Sequence, residues 1–202
     1  MFRTMIVFFT VLFFSTTAMA LPTIGQPAPA FKGMDTLSGK EISLSDFKGK
    51  TVVLEWHNPE CPFIRKYYSS GAMQALQANA AKDGVVWISI NSAGGPDKEG
   101  YIADAVSAQA LLASVHSNTA HYLFDRDGSI GHSYGAKTTP HMFVIDKAGN
   151  VVYMGAIDSK PTADAADITT ATPYVADALA SLKNGTPVII TSTRPYGCGV
   201  KY

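Results

Sequence analysis

The sequence predicts an α/β fold in which a mainly parallel sheet is covered by helices on both faces. Two runs, 51–57 (TVVLEWH) and 85–90 (VVWISI), are mostly apolar, which is typical of strands buried on both faces. Each is followed by a segment of helical character, and this alternation favours a parallel sheet. Two further apolar runs, 141–146 and 151–156, are joined by a turn at 147–150 and predict a closing antiparallel hairpin.

The other elements follow in order along the chain. Residues 31–36 and 40–44 flank Leu37-Ser38-Gly39, and this turn sequence predicts an N-terminal β-hairpin. Short strands are predicted at 122–124 and 188–191. Helices are predicted where apolar residues recur at helical spacing or where capping residues occur, at 62–81, 98–115, 129–134 and 173–182.

The composition excludes several classes of protein. The chain has 202 residues, of which 47% are hydrophobic, enough for one sizeable core. Sixteen basic residues balance sixteen acidic ones, so no nucleic-acid partner is expected, because such binders usually carry a clustered basic patch. Two cysteines are too few for a disulfide scaffold but enough for one redox pair.

The first twenty residues predict a secretory signal peptide. Arg3 supplies a positive start, 5–14 is apolar apart from one threonine, and Ala18-Met19-Ala20 fits a cleavage site. The apolar run is about half the ~20 residues that a membrane-spanning helix needs, which makes an anchor the weaker alternative. We therefore expect a single domain at 21–202, exported to the periplasm or secreted, with no membrane span after cleavage. Export places the cysteines where disulfides form.

Cys61 has the position of a reactive cysteine. It follows the predicted strand 51–57 and stands immediately before a predicted helix whose first residue is Pro62. Open α/β sheets place their functional sites at this end of the strands. The positive end of the helix dipole favours the thiolate, and Arg65 and Lys66 add positive charge one turn on. A buried structural cysteine is the alternative.

Several segments match motifs of one known family: Gly25-Gln26-Pro27-Ala28-Pro29-Ala30-Phe31, Gly39-Lys40, the run 43–50, Cys61-Pro62 and Thr139-Pro140. From about residue 24 to 202, the chain resembles the thioredoxin-fold redoxins of the alkyl hydroperoxide reductase/thiol-specific antioxidant group, which includes peroxiredoxins. The resemblance implies a thioredoxin-like three-layer sandwich, with a central mixed sheet, helices on both faces and an N-terminal β-hairpin. It also implies no cofactor.

The resemblance assigns roles around the first cysteine. Cys61 would be the nucleophile at the start of its helix, with Pro62 beside it. Thr139-Pro140 looks like the cis-proline of the thioredoxin fold, where the proline lies against the active cysteine and the preceding residue offers backbone groups to a substrate. The implied function is an exported thiol-dependent peroxidase that reduces a peroxide and is restored by a thiol reductant protein.

The chain also departs from related families at this site. Position 64 is isoleucine, so the Cys-x-x-Cys pair of thioredoxins is absent. Typical peroxiredoxins place threonine or serine three residues before the active cysteine, where this chain has Asn58. They bring an arginine from a later strand, and here Arg65 is the candidate cation. These departures make the fold a firmer expectation than the peroxidase activity.

Cys198 lies near the C-terminus in a Gly-Cys-Gly sequence, which predicts an exposed and mobile tail. The ending resembles that of a subgroup of peroxiredoxin-like redoxins. Under the peroxidase hypothesis, the peroxide oxidises Cys61 to a sulfenic acid, and Cys198 then condenses with it to form a disulfide. A structural disulfide and an unpaired tail thiol are the alternatives, because pairing cannot be read from sequence.

Three other functions are consistent with the sequence. The first is a thiol–disulfide oxidoreductase that works by a single cysteine. The second is a soft-metal site made by His57, Cys61 and His141, although their spacing matches no metal motif. The third is a non-catalytic redoxin module that binds a partner.

Overall fold

A computed structural model describes residues 21–202, so the predicted signal peptide lies outside the described residues. The strands of this part of the chain are, in order, Lys32–Met34 (β1), Glu41–Ser43 (β2), Val52–Trp56 (β3), Val86–Asn91 (β4), His121–Phe124 (β5), Thr138–Thr139 (β6), Met142–Ile145 (β7), Val151–Gly155 (β8) and Cys198–Gly199 (β9). Five of them form a mixed sheet in the order β5-β4-β3-β7-β8. Strands β3, β4 and β5 run parallel to one another. Strand β7 runs antiparallel to its neighbours β3 and β8.

The α-helices of the described chain are Pro62–Ser69 (α1), Ala72–Lys82 (α2), Ala105–Ser114 (α3), Ser129–Tyr134 (α4) and Tyr174–Lys183 (α5), with short 3₁₀ helices at Leu44–Phe47 and Ala165–Thr170. On one face of the sheet, α1, α2 and α5 pack through Ile64, Met73 and Val175. On the other face, α4 and the chain before β1 pack through Ile130 and Phe31. The result is the predicted three-layer α/β sandwich, and β1 and β2 form the predicted N-terminal hairpin.

Three predicted elements differ from the structure. The segment expected to form one helix at 62–81 is two helices, because Gly71 adopts a left-handed φ of 77° between them. The helix expected from 98 begins at Ala105, where the Asp104 carboxylate accepts the Ser107 backbone N–H at 2.8 Å. The segment 188–191 forms no strand. Within residues 21–202, no helix is long and apolar enough to cross a membrane.

The short strands β6 and β9 form a separate two-stranded sheet. Strand β6 lies just before β7, whose neighbour β3 leads into the loop 57–61 and α1. This connection brings three distant segments together at one end of the main sheet: the start of α1, the chain around Thr139, and the C-terminal residues. The candidate site lies where they meet.

Candidate active site

Cys61 is the residue immediately before helix α1, at the end of the loop that follows β3. Its backbone N–H donates to the Asn58 carbonyl at 3.1 Å, and its own carbonyl accepts the Arg65 N–H at 3.0 Å. Pro62 occupies the first helical position, where its missing N–H costs no hydrogen bond. The Cys61 side chain is 0% exposed. The sequence therefore places this cysteine correctly at the helix start, but the thiol is covered.

Thr139 and Pro140 lie against the Cys61 sulfur. The Thr139–Pro140 peptide bond is cis, as the family resemblance implies. The Cys61 thiol donates to the Thr139 carbonyl at 2.9 Å. The Thr139 hydroxyl is buried and has no hydrogen-bond partner within the described chain, yet it lies close enough to the sulfur to lower the pKa of Cys61. A thiolate would therefore gain a donor that the neutral thiol leaves unused.

Cys198 is brought directly to this site by strand β9. In the antiparallel pairing of β6 with β9, Cys198 stands opposite Thr139, whose carbonyl accepts the Cys61 thiol. Both cysteines are free thiols, and Cys198 is half-buried. The expectation of an exposed tail is wrong, because the C-terminal residues dock as a strand. No local sequence pattern indicates this docking, which depends on tertiary contacts.

The environment separates the acidities of the two thiols. Burial by itself raises the pKa of Cys61, but the neighbouring Cys198 and Thr139 side chains favour the thiolate and bring the pKa below its usual value. Burial also raises the pKa of Cys198, and the neighbouring Cys61 raises it further, to about 12. Cys61 is therefore the thiol that ionises first, and the thiolate is the nucleophilic form.

Asn58 and Arg65, the two predicted supporting residues, direct their side chains to the loop. The side-chain Oδ1 of Asn58 accepts the Glu60 N–H at 2.8 Å, and the side-chain Nδ2 donates to the Glu99 carbonyl at 3.2 Å. The Arg65 Nε donates to the Pro59 carbonyl at 3.1 Å on the exposed side of the helix. These contacts shape the loop before Cys61, and neither is a bond to its sulfur.

The sequence suggested that Lys66 adds positive charge near Cys61, but in the structure this charge is paired with an acid. Its ammonium group is fully buried and lies 3.3 Å from Asp158 Oδ2, which is also buried. The hydroxyls of Tyr67 and Tyr196 donate to the same carboxylate. The charge of Lys66 is thus neutralised within a buried cluster beneath α1, because an isolated ammonium group there would be costly.

Glu55 is a buried acid that the sequence analysis did not single out. It lies in β3 with a 0% exposed side chain, and its carboxylate accepts hydrogen bonds from Trp87 Nε1 at 2.8 Å and Ser89 Oγ at 3.0 Å. Burial raises the pKa of Glu55 to about 7, although these hydrogen bonds oppose the shift. The break in the apolar run 51–57 was the available signal, since a charged residue inside a buried strand is rare.

Replacing Glu55 with glutamine is expected to remove a pH-dependent loss of stability. The pKa of Glu55 rises from 4.5 to about 7 on folding. The contribution of Glu55 to the free energy of unfolding is therefore most favourable below about pH 4.5, and it is lost as the pH rises through 7. The variant's advantage in free energy of unfolding should grow by about 3 kcal/mol between pH 4.5 and pH 8. Urea titrations of both proteins across this range measure the difference, and a pH-independent difference would contradict it.

The two histidine candidates are buried and neutral. Burial lowers the pKa of His57 to about 3 and that of His141 to about 4. His57 Nδ1 lies 2.9 Å from the Tyr122 hydroxyl, and His141 Nδ1 accepts the Lys137 N–H at 3.3 Å. Across residues 21–202, no group of three or more histidine, cysteine or acidic side chains is arranged to hold a metal ion.

The chain is similar to known proteins over most of its described length. The family model described as Redoxin matches residues 23–172. The thioredoxin-like protein YneN of Bacillus subtilis is 31% identical over 139 residues, covering 67% of this chain and 74% of that protein. The thiol-disulfide oxidoreductase ResA of Bacillus thuringiensis is 31% identical over 129 residues, covering 64% of this chain and 67% of that protein.

A solved structure shows the same fold over nearly the whole chain. An uncharacterized conserved protein from Geobacillus kaustophilus superposes with a TM-score of 0.73 at 24% identity, covering 89% of this chain and 92% of that one. The thioredoxin-like α/β architecture expected from the sequence is thereby confirmed. Together with the match over 23–172, these similarities mean that the chain belongs to the Redoxin family.

Proposed function

We propose that the chain is a thiol–disulfide oxidoreductase that cycles between a Cys61/Cys198 dithiol and an intramolecular disulfide. One observation carries the proposal: β9 places Cys198 opposite Thr139, the residue whose carbonyl holds the Cys61 thiol. The name of the ResA relative supports this reaction class. The proposal keeps the predicted nucleophile and develops the thiol–disulfide alternative with a second cysteine.

The reaction proceeds in two exchanges. The Cys61 thiolate attacks a substrate disulfide, forms a mixed disulfide and releases one substrate thiolate. Cys198 then loses its proton to solvent and attacks the Cys61 sulfur, which releases the second substrate thiolate. The substrate gains two electrons and the protein becomes the Cys61–Cys198 disulfide. A thiol reductant protein restores the dithiol by the reverse sequence.

Peroxide reduction is the second candidate. The lowered pKa of Cys61 favours the thiolate that either reaction needs. The Asn58 amide and the Arg65 Nε, however, are bonded to the loop rather than to the sulfur. Peroxide reduction thus lacks the supporting contacts that the resemblance led us to expect, and we place it second.

A small chromogenic disulfide, 5,5′-dithiobis(2-nitrobenzoate), tests the proposed exchange. The reduced protein should release two thionitrobenzoate ions per chain and end 2 Da lighter, without an adduct, because the second thiol displaces the first adduct. Cys198→Ser should release one and retain one adduct. Two adducts on the wild type would contradict the cycle. A parallel experiment uses hydrogen peroxide in place of the disulfide. If peroxide oxidises Cys61 faster than the disulfide reacts with it, peroxide reduction becomes the favoured function.

We also propose that the protein is exported through residues 1–20. The three-part pattern of charge, apolar run and small-residue cleavage site supports the proposal. Expression in a bacterium should yield an extracytoplasmic protein whose first residue is Leu21. Intact-mass measurement of both fractions checks this, and a full-length chain that stays in the cytoplasm would contradict it.

A further inference from the structure

The last ten residues, 193–202, form a strap that lies across the site. Its backbone is bonded at intervals to three parts of the fold. The Thr193 N–H donates to the Met154 carbonyl at 3.1 Å, and the Val200 N–H donates to the Lys137 carbonyl at 3.1 Å. The Lys201 carbonyl accepts the Gly94 N–H at 3.2 Å. Cys198 therefore sits in the middle of a segment with contacts on both sides.

Tyr196 is the anchor before the cysteine. Its hydroxyl donates to Asp158, the carboxylate that pairs with Lys66 at 3.3 Å. Its ring packs edge-on against Phe63 of α1, with 5.7 Å between the ring centroids. A hydrogen bond to a buried charged group is stronger than one between neutral groups. Tyr196 thus fixes the strap to α1 two residues before Cys198.

Tyr202 is the anchor after the cysteine. Its ring stacks on His132 with 4.1 Å between centroids and 23° between planes, and its hydroxyl donates to the Ala136 carbonyl at 2.9 Å. The ring fits because Gly131 has no side chain: a Cβ there would lie 2.5 Å from the Tyr202 hydroxyl oxygen. This face of α4 therefore receives the end of the strap.

The strap comes closest to the site at Gly197. This residue has a φ of 137°, and a Cβ on it would lie 2.1 Å from the Thr139 carbonyl oxygen. Only glycine permits so close an approach without displacement. The strap thus passes directly over the residue that bonds Cys61, and Tyr196 and Cys198 pack in the same apolar cluster as the buried Cys61.

We propose that Tyr196 and Tyr202 are positioning residues for Cys198, a role that rests on the proposed dithiol cycle. By holding the strap at two points, they keep the Cys198 thiol beside Cys61 and at the same time cover the Cys61 sulfur. Loosening either anchor should have opposite effects on the two exchanges. The first becomes faster because Cys61 is uncovered, while the second becomes slower because Cys198 is less often in place.

Stopped-flow release of thionitrobenzoate measures both steps. The first step is measured in a Cys198→Ser background and the second in the otherwise native chain. Tyr196→Phe and, separately, Tyr202→Ala should each speed the first step about tenfold and slow the second about tenfold, the effect of one lost anchoring hydrogen bond or stack. Tyr202→Phe keeps the stack on His132 but loses the hydrogen bond to the Ala136 carbonyl, so it should change both rates in the same directions by less than Tyr202→Ala does.

Tyr174→Phe is the matched control, because Tyr174 packs near the same region through its ring and donates no hydrogen bond from its hydroxyl within the described chain. It should leave both rates unchanged. Rates that stay unchanged in the anchor variants, or move in the same direction with a fall in the urea midpoint, would overturn the positioning role. Absence of any second release from the wild type would overturn the proposed cycle itself and the positioning role with it.

Discussion

Replacing Cys61 with serine is expected to lower the rate of thiol–disulfide exchange by about a thousandfold or more. Serine has no thiolate, and the remaining thiol, Cys198, is poorly suited to begin the reaction because its pKa is raised to about 12. The measurement is the initial rate of thionitrobenzoate release at pH 7. The same loss should appear with glutathione disulfide as substrate.

Cys198→Ser is the paired control for this substitution. It removes the second thiol and leaves Cys61 at the helix start, so the first exchange should persist while the second disappears. A Cys61→Ser protein that reacts as fast as the wild type would mean that Cys198 is the attacking thiol. In that event the acidity order inferred from the site would be reversed.

Replacing Asp158 with alanine is expected to lower the free energy of unfolding by about 3–5 kcal/mol. The change leaves the fully buried ammonium group of Lys66 without its counter-ion. It also removes the acceptor of the Tyr67 and Tyr196 hydroxyls. Chemical denaturation at pH 7 measures the loss.

Asp83→Ala is the matched control for the buried ion pair. Asp83 pairs with Lys183 at 2.8 Å, but the two side chains are 36% and 61% exposed. Removal of this pair should cost less than about 1 kcal/mol, because exposed ion pairs are solvated and contribute little. Equal losses in the two variants would show that burial does not make the Asp158 pair special.

A double replacement separates the pair from the charge that it leaves behind. Lys66→Met with Asp158→Leu removes both charges and should recover much of the loss of Asp158→Ala, since a desolvated pair often contributes little net stability. Failure to recover would indicate that the tyrosine hydroxyls, rather than Lys66, depend on Asp158.

Much of the fold was predictable because it follows from local patterns. The apolar runs at 51–57 and 85–90 are strands β3 and β4, and their alternation with helices gives the parallel part of the sheet. Cys61 was found from its place between a strand and a helix. The cis bond before Pro140 followed from the family resemblance rather than from spacing.

The contacts that complete the site could not be predicted, because they join segments far apart in sequence. The carboxylate of Asp158 meets Lys66 across 92 positions, and no charge pattern indicates that pairing. The strap has no periodicity of its own: its docking depends on the close approach at Gly197 and on the space that Gly131 leaves for Tyr202. A glycine-rich ending therefore suggested a free tail where the fold holds it in place.

The most direct test of the central claim is the location of the disulfide after oxidation of the reduced protein by a small disulfide. Digestion with trypsin separates Cys61, in a peptide spanning 51–65, from Cys198, in a peptide spanning 184–201. Mass spectrometry without reduction should find these two peptides joined, with no free thiol. Recovery of both peptides separately, as thiols or as independent adducts, would contradict the Cys61/Cys198 cycle.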